Sequence, residues 1–178
     1  MIEKQGHKYQ ARYCEENIWH LCQEPCMHGL LCSVLVVTSA AAATPLLRQR
    51  AGGGEVVWWD YHVILLTRMA ETMIWDLDTE LPLPCLATRY FAATFPNQID
   101  VREPHCALIR EIDADVYVET LCSDRRHMCD EAGAWLAPPP PWPTIGMPGT
   151  HNLPDLVAPF NNGLGRLVPA SRASQEWV

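Results

Sequence analysis

The sequence has little of what membrane and nucleic-acid-binding proteins need. Its longest apolar run, residues 30–37 and then the alanine-rich stretch 40–43, is shorter than the roughly 20 apolar residues of a membrane-spanning helix. Lysine and arginine number 13 against 21 aspartate and glutamate residues, which gives a net charge of −8. Because phosphate contacts need clustered basic side chains, we expect neither a membrane nor a nucleic acid as a partner.

The polar N-terminus also lacks an apolar signal core. We therefore expect a cytoplasmic protein, with the nucleus as a second compartment, whose eight cysteines stay reduced. Cys22, Cys26, His28 and Cys32 lie close together, but no C-x-x-C occurs in the chain. Structural zinc sites usually combine two ligand pairs, and no second pair follows here. We predict no metal site and expect these thiols to pack in the core.

The hydrophobic pattern predicts an α/β (α+β) fold, with an antiparallel-rich sheet and packed helices. Residues 13–23 have the spacing of an amphipathic helix, and the apolar, β-branched run 30–38 is typical of a buried strand. Residues 56–67 and 72–78 are rich in Val, Ile and Trp, and the short gap between them predicts a β-hairpin. The Ala-rich and Gly-rich residues 39–54 are predicted to form a variable connection.

The rest of the chain carries weaker patterns. We predict a helix over 86–95 that Pro96 ends, a strand over 106–112, and either a helix or a strand over 114–122. The proline run 138–143 must be extended and is expected to lie over the surface as a stiff connector. The domain boundaries predicted from these patterns are a flexible lead-in over 1–12, a single catalytic domain over 13–162 and a poorly determined tail over 163–178.

Cys14 is the candidate nucleophile, because it lies at the predicted start of a helix. The thiolate is the reactive form of cysteine, and the unpaired N–H groups of a helix N-terminus lower the pKa of a thiol. Cys85, which follows Leu-Pro-Leu-Pro, could also begin a helix and is the alternative. Cys106, Cys122 and Cys129 lack such a context.

The predicted hairpin places an imidazole beside a carboxylate. If Thr67 pairs with Glu71, His62 faces Asp76, and directly opposed side chains have Cβ atoms roughly 5 Å apart. If the register shifts so that the loop is 69–71, His62 faces Asp78 instead. Asp60 also shares the face of His62 on its own strand. The geometry of the sequence alone leaves all three carboxylates open as partners of His62.

A thiol at a helix start, packed against a sheet that bears His and then Asp in chain order, is typical of papain-like thiol enzymes. In that arrangement the imidazole takes the thiol proton, and the carboxylate holds the imidazole in the useful tautomer. The layout therefore predicts a cysteine-dependent enzyme.

Several blocks of the chain resemble one family, the protein N-terminal glutamine amidohydrolases. The similarity is carried, in chain order, by Tyr13-Cys14-Glu15-Glu16-Asn17-Ile18-Trp19, Trp59-Asp60-Tyr61-His62-Val63, Asp76-Leu77-Asp78-Thr79, Leu81-Pro82, Pro84-Cys85-Leu86, Ser123-Asp124-Arg125, His127-Met128, the proline run and, faintly, Asn152-Leu153. Residues 23–54 and the end from Leu164 depart from the family pattern.

The resemblance implies an enzyme that deamidates glutamine at the N-terminus of proteins and peptides and releases ammonia. In that family the glutamate so formed feeds the N-degron pathway. The family's nucleophile falls on Cys14, its base on His62 and its orienting carboxylate on Asp76. The implied fold is an α/β sandwich similar to transglutaminases. We expect the protein to act as a monomer without a metal or cofactor.

Recognition of the free α-amine is expected to need an acidic side chain. Glu15, Glu16, Asp60 and Asp124 are candidates, and the sequence assigns none of them. Two other functions stay open. One is a thiol protease or transglutaminase-like enzyme that uses the same catalytic residues, and the other is an inactive interaction protein that presents the proline run 138–143.

Overall fold

A large antiparallel sheet with helices on both faces organises the chain. The computed structural model describes residues 3–4, 6–95, 101–161 and 163–178. The strands are β1 (Glu3–Lys4), β2 (His7–Lys8), β3 (Leu31–Thr38), β4 (Thr44–Leu46), β5 (Val57–Trp59), β6 (His62–Arg68), β7 (Thr72–Trp75), β8 (Cys85–Leu86), β9 (Leu108–Asp113) and β10 (Arg166–Pro169). The α-helices are α1 (Cys14–Cys22), α2 (Ala87–Thr94), α3 (Ala114–Thr120), α4 (Leu153–Val157) and α5 (Ala173–Glu176), and short 3₁₀ helices cover Pro25–Met27, Arg50–Gly52, Arg126–Met128 and Ala170–Arg172.

Strand β3 lies inside the main sheet, whose strand order over the described residues is β10-β9-β3-β6-β7-β8. It pairs antiparallel with β6 on one side and with β9 on the other. Val34 and Val36 join the core on one face of the sheet, while Leu35 and Val37 join the core on the other. Because helices cover both faces, the middle of β3 needs apolar side chains on both of its sides, and residues 34–37 are correspondingly all Val or Leu.

Two helical layers close these cores. Ile18 of α1, Tyr117 of α3 and Leu156 of α4 pack on the first face. Tyr90 of α2 and Trp177, which follows α5, pack on the second. Fully burying one such apolar side chain stabilises a fold by about 1.5–3 kcal/mol relative to leaving it exposed. The predicted mixed fold with an antiparallel sheet and packed helices is confirmed.

The strand predicted over 56–67 is in fact two strands. β5 pairs with β4 in a separate ribbon, whereas β6 belongs to the main sheet. The chain bends between them at Asp60 and Tyr61, where Asp60 Oδ1 accepts a hydrogen bond from the Tyr61 N–H at 3.0 Å. An aspartate that bonds locally to the backbone competes with a strand ladder, which explains the break.

The hairpin of β6 and β7 has the second of the two registers considered. Arg68 pairs with Thr72 and Leu65 with Trp75, so the loop is 69–71. The register that opposes His62 to Asp76 is therefore wrong. In addition, β7 ends at Trp75, which leaves Asp76 beyond the ladder rather than inside it.

The two ends of the chain make specific contacts. Near the N-terminus, His7 Nδ1 lies 2.6 Å from Glu24 Oε2, and Tyr9 donates a hydrogen bond to Asp78. The segment after 163, for which the sequence predicts a poorly determined tail, contributes the edge strand β10 and then α5. Pro96, expected to end a helix, lies outside the described residues, while α2 ends just before it. None of the described helices has both the length and the apolarity to cross a bilayer.

Candidate active site

Cys14 is the first residue of α1, as the sequence predicts. Its side chain is buried, with 8% exposure. A backbone hydrogen bond from Val63, the second residue of β6, reaches the sulfur and acts to lower its pKa. Helix α1 thus brings the thiol to the beginning of the strand that starts with His62.

His62 and Asp76 form a buried pair, with His62 Nε2 2.9 Å from Asp76 Oδ1 and both residues 1% exposed. They are not directly opposed. Continuing the observed register by one residue would place Asp76 opposite Ile64, the neighbour of His62 on the same face of β6. Diagonal neighbours in an antiparallel pair lie roughly 7–8 Å apart, which long side chains can span. The contact therefore forms in the register that seemed to favour Asp78.

Four donors converge on the Asp76 carboxylate. Besides His62, these are the Asp78 N–H at 2.9 Å to Oδ1, the Gln49 amide at 3.0 Å and the Tyr90 hydroxyl at 2.8 Å, both to Oδ2. Burial by itself would raise the pKa of Asp76. The charge of His62 and the hydrogen bonds from His62, Gln49 and the Asp78 amide outweigh burial and lower the pKa to about 2.

An ionised Asp76 fixes the tautomer of the imidazole. A carboxylate only accepts hydrogen bonds, so His62 Nε2 must carry a proton in this pair. Nδ1 of His62 is then the nitrogen that can accept a proton. The indole of Trp59 stacks on the imidazole, with ring centroids 5.7 Å apart and planes 13° from parallel, which further restricts its rotation.

Sequence reasoning missed the partners of this pair. Gln49 lies in the stretch predicted to be only a variable connection, and Tyr90 lies on α2, on the second face of the sheet. Neither position has a local sequence signal, because each is defined by a long-range contact.

Cys14 and His62 line one cavity of about 480 Å³. Its polar lining includes Asp60, Asp78 and the guanidinium-bearing Arg12. Much of the remaining wall is apolar and comes from Met128, Leu136, Leu153, Pro154, Val157 and neighbouring residues. A pocket of this size and character suits a small ligand or a single amino-acid side chain.

The electrostatics at Cys14 differ from the expectation for a helix start. Burial is the largest cause of a pKa well above that of a free thiol, and the negative charges of Glu15, Asp78 and Asp60 raise it further. The Val63 amide opposes these effects but does not overcome them. The pKa of Cys14 is therefore raised, opposite to the direction that the helix start alone predicts. Its S–H donates to Glu15 Oε2 over 3.8 Å.

A second imidazole–carboxylate pair lies beside the thiol. Glu15 is fully buried, and its Oε2 accepts the Tyr61 hydroxyl at 3.1 Å. Its Oε1 lies 3.3 Å from His127 Nε2. The His127 ring stacks on His151, with centroids 5.2 Å apart. The sequence marks His127 only as part of a family motif, so its contact with Glu15 is a finding of the structure.

The next residue of α1, Glu16, anchors the proline run. Its carboxylate takes two hydrogen bonds of 2.7 Å from Arg125 and one of 2.7 Å from the Trp142 indole. Arg125 also donates to the backbone carbonyls of Trp142 and Pro143. All three charged or indole groups are buried, so the run 138–143 is fastened to α1 rather than free.

Of the described residues, one group brings three metal-ligating side chains within 4.8 Å of one another, and it consists of His62, Asp76 and Asp78. In this group His62 Nε2 already donates to Asp76 Oδ1 at 2.9 Å, and Asp78 Oδ1 accepts from Tyr9. These contacts are those of a hydrogen-bond network, and the absence of a metal site stays a prediction.

Comparison with known proteins adds an independent finding. A family model described as N-terminal glutamine amidase matches residues 9–176. The human protein N-terminal glutamine amidohydrolase is 39% identical over 144 residues, which cover 77% of this chain and 70% of the relative. Proteins of the same description from Danio rerio and Drosophila grimshawi are 35% and 38% identical, and each alignment covers 84% of this chain and 78% or 77% of the relative.

Proposed function

Because the chain belongs to the N-terminal glutamine amidase family, we propose that it hydrolyses the side-chain amide of glutamine at the N-terminus of proteins and peptides, giving glutamate and ammonia. The observation that carries the chemistry is that a thiol at a helix start and a carboxylate-bound imidazole line one cavity. In this proposal Cys14 is the nucleophile, His62 the base and Asp76 the residue that orients the base.

The first step begins with deprotonation of the Cys14 thiol. Cys14 gives its proton to His62 Nδ1 as the sulfur attacks the amide carbon, and the imidazolium that forms is stabilised by the ionised Asp76. The carbonyl oxygen becomes an oxyanion. Amides in the first turn of α1 have no intrahelical acceptor, so they are suitable donors to that oxygen.

The second half of the reaction returns the enzyme to its starting state. His62 gives the proton to the departing nitrogen, ammonia leaves, and a thioester to Cys14 remains. Water then gives one proton to His62 Nδ1 and its hydroxide to the acyl carbon. Collapse of this intermediate breaks the carbon–sulfur bond, and the proton on His62 returns to the sulfur.

Further parts of the proposal rest on the resemblance to the family. The active-site layout is that of a papain-like or transglutaminase-like core within a single catalytic domain, which we assign to residues 13–162. We also propose a monomeric enzyme of the cytoplasm and nucleus, needing no cofactor, whose product enters the N-degron pathway.

The alternative of an inactive protein that presents its proline run has little support. Pro140 and Trp142 are buried, and Arg125 fastens the run to Glu16. A module that recognises extended proline segments would need that face to be accessible. Within the described part of the chain no specific contact favours a protease over an amidase, and the peptide experiment separates them.

The test uses purified protein and three peptides, with glutamine first, glutamine internal and asparagine first. We expect ammonia release and conversion to glutamate only for the first peptide, with one oxygen incorporated from heavy-oxygen water, which excludes spontaneous cyclisation. Cys14→Ala should abolish conversion. Cys85→Ala is the matched control, because Cys85 is also buried but does not line the cavity. Backbone cleavage, or equal activity of wild type and Cys14→Ala, would overturn the proposal.

A further inference from the structure

An enzyme that acts only on the first residue of a chain must recognise its free α-ammonium group. This inference rests on the proposed function, and it concerns which side chain binds that cation. Four carboxylates are candidates from the sequence alone, and the structure separates them by burial and by their existing partners.

Two of these candidates are already engaged away from the cavity. Glu16 is fully buried and accepts hydrogen bonds from Arg125 and Trp142. Asp124 is held by Arg126 and does not line the cavity. Neither of these carboxylates can meet a substrate whose glutamine lies beside Cys14.

Glu15 is close to the thiol but enclosed. It is fully buried, does not line the cavity, and is covered by Tyr61 and His127, which do. An ammonium group that enters the cavity would meet those two side chains first.

Asp60 and Asp78 are the described carboxylates that do line the cavity. Asp78 is 8% exposed and lies within the close group that it forms with His62 and Asp76. In glutamine the α-nitrogen lies roughly 5 Å from the amide carbon when the side chain is extended. If the amide is to lie between Cys14 and His62, the ammonium must point away from that group and towards the mouth of the cavity.

Asp60 has the position that this geometry requires. It is an exposed residue at the bend between β5 and β6, directly after Trp59, which stacks on His62. The Tyr61 N–H fixes one oxygen of its carboxylate at 3.0 Å. Its negative charge reaches the Cys14 sulfur, where it contributes to the raised pKa.

We propose that Asp60 binds the α-ammonium group of the N-terminal glutamine and thereby restricts the reaction to the first residue of a chain. A bound cation at Asp60 also offsets one of the negative charges that oppose ionisation of Cys14. The correct substrate therefore helps to generate its own nucleophile, whereas an internal glutamine, which lacks the cation, does not.

The experiment compares a peptide that begins with glutamine with its des-amino analogue, in which hydrogen replaces the α-amine. Wild type should prefer the glutamine peptide in kcat/KM by roughly ten- to a hundredfold, the range for a hydrogen bond to a charged group. In Asp60→Asn this preference should fall to near unity, through both a higher KM and a smaller kcat advantage for the glutamine peptide. Asp115→Asn, an exposed aspartate on α3 outside the cavity, is the matched control and should keep the preference.

Activity of Asp60→Asn on the des-amino peptide also shows that this variant is folded. Asp60→Asn that keeps the wild-type preference overturns the inference. The inference is also overturned if Asp78→Asn loses the preference for the glutamine peptide while Asp60→Asn retains it. Failure of wild type on every glutamine-initiated peptide would instead reject the proposed function.

Discussion

Replacing Asp76 by asparagine tests the charge of the carboxylate with little change in shape. Oδ1 of the asparagine could still accept from His62 and from the Asp78 amide. Its NH₂ group would face Gln49, whose own Oε1 is buried and lacks a hydrogen-bond partner among the described residues. A rotation of the Gln49 amide would supply that acceptor. We therefore expect Asp76→Asn to fold.

The magnitude follows from the pKa. Burial favours the neutral acid, yet interactions led by His62 bring the pKa of Asp76 from 3.8 to about 2. That difference corresponds to about 2 kcal/mol of preference for the ionised form. The same interaction stabilises the imidazolium that forms as Cys14 is deprotonated. Its loss should lower kcat by at least roughly thirtyfold, and by up to about 10⁴-fold if the imidazole adopts the wrong tautomer.

Stability should depend on pH with a definite sign. Because the pKa of Asp76 is lowered in the folded protein, its stabilising effect is complete above 3.8 and is lost as the pH falls towards about 2. The difference in unfolding free energy between wild type and Asp76→Asn should shrink over that window by about 2 kcal/mol.

The assays are single-turnover kinetics with a glutamine peptide and urea unfolding at several pH values, with Asp115→Asn as the exposed control. If Asp76→Asn kept kcat within a few-fold of wild type while losing stability, the carboxylate would be structural and the catalytic assignment would be refuted.

Three further outcomes follow from buried contacts. Glu15→Gln should lower the pKa of Cys14 and speed its alkylation by iodoacetamide at neutral pH, since Glu15 is the largest charged contributor to that raised pKa; an unchanged rate would contradict this. Arg125→Ala removes the cation from the buried Glu16 carboxylate and leaves it only the Trp142 indole as a donor, which should cost about 3–5 kcal/mol in urea unfolding, and a loss under 1 kcal/mol would show the ion pair to be dispensable. Trp177→Ala, at a site 3% exposed, should cost about 3–5 kcal/mol; no change would mean that the C-terminal segment does not stabilise the fold.

Local hydrophobic patterns were sufficient to predict helix α1 and strand β3, which position the candidate site. The apolar spacing of 13–23 and the β-branched run of 30–38 predict α1 and β3 to within a residue or two, because burial of one helix face and of a whole interior strand leaves a direct mark on the sequence. Strand breaks depend on weaker signals. Asp60 interrupts the ladder by a local hydrogen bond, which hydrophobic periodicity cannot detect.

The register of the hairpin shows why the sequence alone could not predict which aspartate contacts His62. The alternation of side chains along a strand predicts only the face on which each one lies. Asp76 and Asp78 share a face, so alternation cannot choose between them. The observed pairing belongs to the register in which Asp78 opposes His62, yet Asp76 makes the contact because β7 ends at Trp75 and the chain then turns. The resemblance to the family selects Asp76 without explaining this.

The charge environment of Cys14 could not be predicted from the sequence. A helix start favours the thiolate, but burial raises the pKa of this thiol, and the charges of Glu15, Asp78 and Asp60, which come from three different places in the chain, raise it further. Only tertiary structure brings those charges to one sulfur.

A buried thiol whose pKa is raised has a consequence for oxidative damage. Peroxides oxidise thiolates, and attack also requires access to the sulfur. Cys14 offers neither freely, since its pKa is raised and its surface is 8% exposed. Sulfenic acid should therefore form slowly at this position, and the enzyme should keep working under peroxide concentrations that inactivate thiol enzymes with permanently ionised cysteines.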